Sequence, residues 1–132
     1  MTGRADSAPV TGSRLLGRVY VVAGGEQGLV DVAAALVDAG AFVAFVAVEL
    51  TAVSAHTNFR ADPGDPGVWE RVAPYVEQRL GPVDGVVTDR ATRPVVDAVF
   101  AADIRRRGHG DVVVVSPADE VVQVVSALAG RQ

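Results

Sequence analysis

A chain of 132 residues, 49% of them hydrophobic, carries enough apolar material for one ordinary core and too little for two domains. Its formal net charge of -4 and pI near 5.0 offer no basic field to a polyanion, which excludes nucleic acid as a default partner. With no cysteine, and with arginine supplying every basic position, disulfides, thiolate metal sites, cysteine nucleophiles, Schiff bases and phosphate-loop lysines are all excluded.

Residues 1–14 mix Ser, Thr, Gly, Pro and charge, and they are expected to form a flexible tail ahead of a single domain over 15–132. No apolar run is long enough to span a bilayer, so no membrane partner and a cytoplasmic location are expected. From Arg18 onward, short β-branched runs alternate with helical patterns, as in successive βα units around a parallel sheet. Val19 to Val22 reads as a buried strand. After the turn Ala23-Gly24-Gly25-Glu26-Gln27-Gly28, the residues Leu29, Val32, Ala33, Leu36 and Val37 fall at helical spacing, and Gly40 ends that helix. Phe42 to Val48 is continuous enough for a strand covered on both faces. The polar stretch from Thr51 to Asn58 fits no element clearly, and Phe59 to Asp62 reads as a brief third strand.

Asp65 followed by Pro66 predicts a helix start, with Trp69, Val72, Ala73, Val76 and Leu80 inward and a kink at Pro74. Trp69 reads as core at that spacing. Val83 to Val87 is the fourth strand, and Pro94 to Arg107 a helix with Val95, Val99 and Ala102 inward. Arg105, Arg106 and Arg107 suit a solvated helix end. Val112 to Val115 is the fifth strand. Ser116-Pro117-Ala118-Asp119 then resembles a capping box ahead of a last helix carrying Val121, Val122, Val124, Val125 and Leu128.

A strand, a Gly24-x-x-x-Gly28 turn and a helix bring backbone amides to a helix N-terminus, where a phosphate can be held. Four further stretches occur in order after it: Gly40-Ala41; Phe59-Arg60-Ala61-Asp62; Gly81-Pro82-Val83-Asp84-Gly85-Val86-Val87; and Arg107-Gly108-His109-Gly110-Asp111 leading into the valines. As an ordered set, over roughly Gly17 to Pro117, these resemble the N-terminal half of a short-chain dehydrogenase/reductase. The resemblance implies a Rossmann-like doubly wound α/β fold in three layers, with about five parallel strands in the order 3-2-1-4-5. It also implies an NAD or NADP site built from Gly24, Gly25, Gln27, Gly28, Glu49 and Asp62.

The sequence departs from that family where the chemistry lies. Ala23 replaces the loop's threonine and Val30 its last glycine, and a branched side chain at Val30 crowds the approach of a pyrophosphate. The position that reads the ribose is Ala47, with Glu49 two residues on as a substitute. Thr88-Asp89-Arg90-Ala91 replaces the family's Asn-Asn-Ala-Gly, and the helix after it is shorter than usual. No tyrosine follows Tyr75, and the Tyr-x-x-x-Lys pair that moves a proton in the family is missing.

Four other residues are candidates for a cleft. His56 lies in a polar stretch without an identifiable orienting partner. Asp89 and Arg90 follow the fourth strand, where they either bind a polar ligand or pair with each other and solvent. Ser116 ends the fifth strand, where it either faces a ligand or caps the next helix. His109 suits a turn, and neither histidine has an acid at ligand spacing, so no metal site is expected.

The expectation is a non-catalytic, dehydrogenase-like domain that needs no cofactor. It would act as a homo-oligomer or as an accessory subunit, the partner including a full-length relative. An edge strand of valines and an apolar last helix favour association. Two alternatives stand beside it: weak NAD(P) or other nucleotide binding, and a redeployed lyase, isomerase or cyclase working on a small molecule.

Overall fold

The computed structural model describes residues 15–25, 27–49, 55–107, 111–115, 123, 124 and 128, with the backbone alone at 101–107, 111 and 115. Five parallel strands form one sheet: β1 (Val19–Ala23), β2 (Phe42–Ala47), β3 (Thr57–Arg60), β4 (Gly85–Asp89) and β5 (Asp111–Val115). Their order is β3-β2-β1-β4-β5. Three helices connect them: α1 (Gly28–Asp38), α2 (Pro66–Leu80) and α3 (Arg93–Arg107). This is the Rossmann-like α/β arrangement that the order of motifs implies.

The strands read as continuous apolar runs because both faces of the sheet are covered. Tyr20 and Val22 of β1, Val43 and Phe45 of β2 and Val87 of β4 pack with Leu29, Val32, Ala33 and Leu36 of α1. Val124 and Leu128 join the same layer. Val19, Val21 and Ala23 turn the other way, with Ala44, Val46 and Val86, against Val68, Trp69, Val72 and Val76 of α2 and Val96 and Phe100 of α3. Each fully buried Leu, Val or Phe contributes about 1.5–3 kcal/mol to holding these layers together.

The helix ends follow their local chemistry. Asp65 caps α2, its side chain accepting a hydrogen bond from the Gly67 N–H at 2.9 Å, with Pro66 in the first turn. Gly40 takes φ +92° as α1 gives way to β2, in the left-handed region that favours glycine. Trp69 is buried, donates Nε1–H to the Pro63 carbonyl at 2.9 Å and meets Phe100 edge-on at 5.3 Å, joining α2 to α3.

Several boundaries differ from the sequence reading. The third strand lies two residues earlier, at Thr57–Arg60, because Ala44 pairs with Thr57 and Ala47 with Arg60. Asp62 is left to the following turn. The fourth strand is likewise shifted, since Val83 and Asp84 precede the ladder and the strand runs on to Asp89. Helix α2 runs through Pro74 to Leu80, the extent the spacing predicts; Pro74 and Glu70 are both exposed, so the carbonyl that loses its partner belongs to an exposed residue. Among the α3 side chains described, those of residues 93–100, Val96 and Phe100 are buried and Val95 and Val99 half-buried beside them; the Ala102 side chain lies outside the described ones. The capping box at Ser116 and most of the last helix lie outside the described residues.

Candidate functional site

A cleft of about 500 Å³ opens where the C-terminal ends of the strands meet the glycine turn. That end of a parallel sheet is where α/β folds bind ligands. Gly24, Gly25, Gln27 and Val30 form one wall, Phe45, Ala47, Val48 and Glu49 the end of β2, Asp62 and Pro63 the turn after β3, and Asp89, Ala91 and Thr92 the exit from β4.

The glycine turn is held from β4. The Thr88 hydroxyl is buried and donates to the Ala23 carbonyl at 2.8 Å. One residue on, Asp89 Oδ2 accepts the Gly25 N–H at 2.8 Å, while its Oδ1 accepts the Thr92 N–H at 2.9 Å. Gly24 N–H extends the ladder to the Val46 carbonyl at 3.1 Å. Gly24 itself has φ +142°, and a Cβ there would overlap the Asp89 carboxylate and press on Leu29 Cδ1 at 2.9 Å. A glycine is therefore required at 24 by both the backbone angle and the closeness of Asp89.

On the opposite wall, Asp62 accepts the Gly64 N–H at 2.9 Å, which shapes the turn that leads to the cap of α2. Glu49 is exposed at the rim. Three carboxylates, Glu49, Asp62 and Asp89, are the charged residues lining the cleft among the described residues. The rest of the lining is largely apolar.

The structure thus brings together Gly24, Gly25, Gln27, Glu49, Asp62 and Asp89. Gly28 opens α1 just behind the turn without lining the cleft. His56 lies at the other end of the sheet: its N–H donates to the Val43 carbonyl at 2.9 Å, its Nδ1 accepts the Val43 N–H at 3.2 Å, and its ring meets Phe42 edge-on. The imidazole is a structural partner of β2 there, remote from the cleft. Arg90 is exposed in the turn after β4 and does not line the cleft. Ser116 lies outside the described residues. Thr92 went unnoticed in the sequence, although an aspartate three residues ahead of it, before a helix, is a local signal for such a bond.

One buried group stands apart from the cleft. The Tyr20 hydroxyl has no hydrogen-bond partner among the described residues, and its side chain is fully buried. Burial pushes the phenol up to about 12; Asp84 adds to the shift and Arg18 opposes it.

No family model and no curated protein matches the chain. Solved structures do. A short-chain dehydrogenase/reductase from Serratia marcescens aligns at 21% identity with a TM-score of 0.45, over 89% of this chain and 53% of that one. A doubly substituted variant of the Serratia enzyme gives 0.46 over the same shares. The chain spans about half the length of the structures it matches. This is the family whose ordered motifs the sequence resembles. The fold itself is established by its strand order and parallel registers. Among the described residues, no helix is long and apolar enough to cross a membrane, and no group of three or more acids and histidines is placed to hold a metal.

Proposed function

We propose that the chain is a non-catalytic, dehydrogenase-like domain that works by association, as a homo-oligomer or as an accessory subunit of a related enzyme. The observation that carries this reading is the position of β5 at the edge of the sheet, with Val113 and Val114 only half covered among the described residues. An edge strand rich in valine favours pairing with a further chain. The cleft supports the non-catalytic part, because Asp89, one of its three carboxylates, is engaged with two backbone amides. Light scattering over a concentration series is expected to give a mass above that of the 13.6 kDa chain, and Val114→Lys to reduce it. A monomer at every concentration, with no partner retained in a pull-down, overturns the reading. So does NAD(P)H-dependent turnover of a carbonyl substrate by the purified protein.

A second reading is nucleotide binding, favoured by the convergence of Gly24, Gly25 and Gln27 with Glu49 and Asp62 around one cleft. Calorimetry with NAD, NADP and adenosine tests it. Absence of heat and of any thermal shift at millimolar ligand ends it.

A further inference from the structure

We propose that Asp89 is a built-in anion that turns phosphorylated ligands away from the glycine turn, so that the cleft accepts uncharged or cationic small molecules instead. The backbone amide at Gly25 is one of the donors that a strand-turn-helix offers to a phosphate. Here that N–H points to Asp89 Oδ2 at 2.8 Å. The carboxylate is held from its other side as well, Oδ1 accepting the Thr92 N–H at 2.9 Å. Both of its oxygens face N–H donors, an arrangement that a carboxylate satisfies and a neutral amide does not.

The turn is also shaped around this group. The space that a side chain at 24 would fill is taken by the Asp89 carboxylate, so the glycine there serves an internal anion. Glu49 and Asp62 place two further negative charges on the lining, and no cationic side chain faces them from the described lining residues. A phosphate entering the turn meets a like charge at the amide it needs, and like-charge juxtaposition is strongly unfavourable. A ligand with hydroxyl or amine donors meets acceptors at the rim and an apolar surface from Phe45, Ala47, Val48 and Pro63. The inference is independent of the association reading. It narrows the nucleotide reading to the nucleoside end of such a molecule.

The test uses inorganic pyrophosphate, titrated at constant ionic strength into the full chain and into Asp89→Asn, with the Gly25 and Gln27 amide resonances as the readout. The unsubstituted protein is expected to show no saturable shift, and Asp89→Asn to bind about tenfold tighter or better. Saturable binding to the unsubstituted protein overturns the proposal, and so does a folded Asp89→Asn protein that stays unresponsive. Asp89→Ser replaces the asparagine variant if the latter does not fold. A parallel titration with adenosine reports on the nucleotide reading alone, so failure of one is distinguishable from failure of the other.

Discussion

Asp89 and Gly25 lie 64 positions apart in the chain and meet through a 2.8 Å hydrogen bond from the Gly25 amide to the Asp89 carboxylate. The bond joins the exit of β4 to the turn after β1, and it makes the mouth of the cleft part of the sheet's own scaffold.

Replacing Asp89 by asparagine leaves a single acceptor oxygen for two N–H donors and turns an NH2 group toward one of them. A loss of about 1–2 kcal/mol is expected in urea denaturation. An unchanged midpoint would show that the carboxylate contributes nothing to holding the turn.

The two adjacent glycines of the turn are predicted to behave differently. Gly24→Ala combines a strained backbone with overlap of the Asp89 carboxylate, and a cost of about 2–4 kcal/mol is expected. Gly25 has open space where a Cβ would stand, so Gly25→Ala is expected to stay within about 0.5 kcal/mol of the parent. Equal effects at the two positions, measured by thermal or chemical melting, would contradict the geometry.

Tyr20 gives the fold an alkaline limit. Its pKa is about 12 in the folded protein against 10.0 for the ordinary phenol, so the unfolded chain releases the proton first as pH rises. Stability from this group is complete below pH 10 and falls between pH 10 and pH 12, by up to about 2–3 kcal/mol. Tyr20→Phe removes both that dependence and a buried hydroxyl that has no hydrogen-bond partner among the described residues, and a gain of up to ~1 kcal/mol at neutral pH is expected. Parallel pH profiles of the two proteins would refute the assignment.

Asp65→Ala removes the side-chain acceptor for the Gly67 amide at the start of α2. A cost of about 1 kcal/mol is expected. Trp69, the sole tryptophan, bonds to Pro63 on the cleft wall, so a ligand that moves that turn is expected to change its fluorescence.

The apolar runs and helical spacings made the succession of elements legible, and the ordered likeness to a known family supplied the strand order. Less legible was the third strand: Thr57 and Asn58 carry no apolar signal because β3 is an edge strand whose residues alternate between half-buried and exposed. His56 looked like a cleft residue by its polar neighbours. The parallel register, which sets Thr57 opposite Ala44, puts His56 at the far end of the sheet. Asp89 was recognised as a candidate but its partner was hidden, since no side-chain pattern announces a bond to a backbone amide contributed from the other half of the chain.

Asp84 bonds to the Val19 amide at 2.8 Å, so β4 is tied by side chains to the β1 segment at its start as well as at its end, through Asp84, Thr88 and Asp89. Strands β1 and β2 are near neighbours in the chain, whereas joining β1 to β4 closes a loop of 64 or 65 positions. Loop-closure entropy delays such pairings. The half-sheet β3-β2-β1 is accordingly able to form early, and the arrival of β4 joins it to the second half of the core and closes the glycine-turn side of the cleft. Amides of Val21 and Val86 should then exchange with solvent only through global opening, and a ligand seated in the cleft should slow that opening across the whole central ladder.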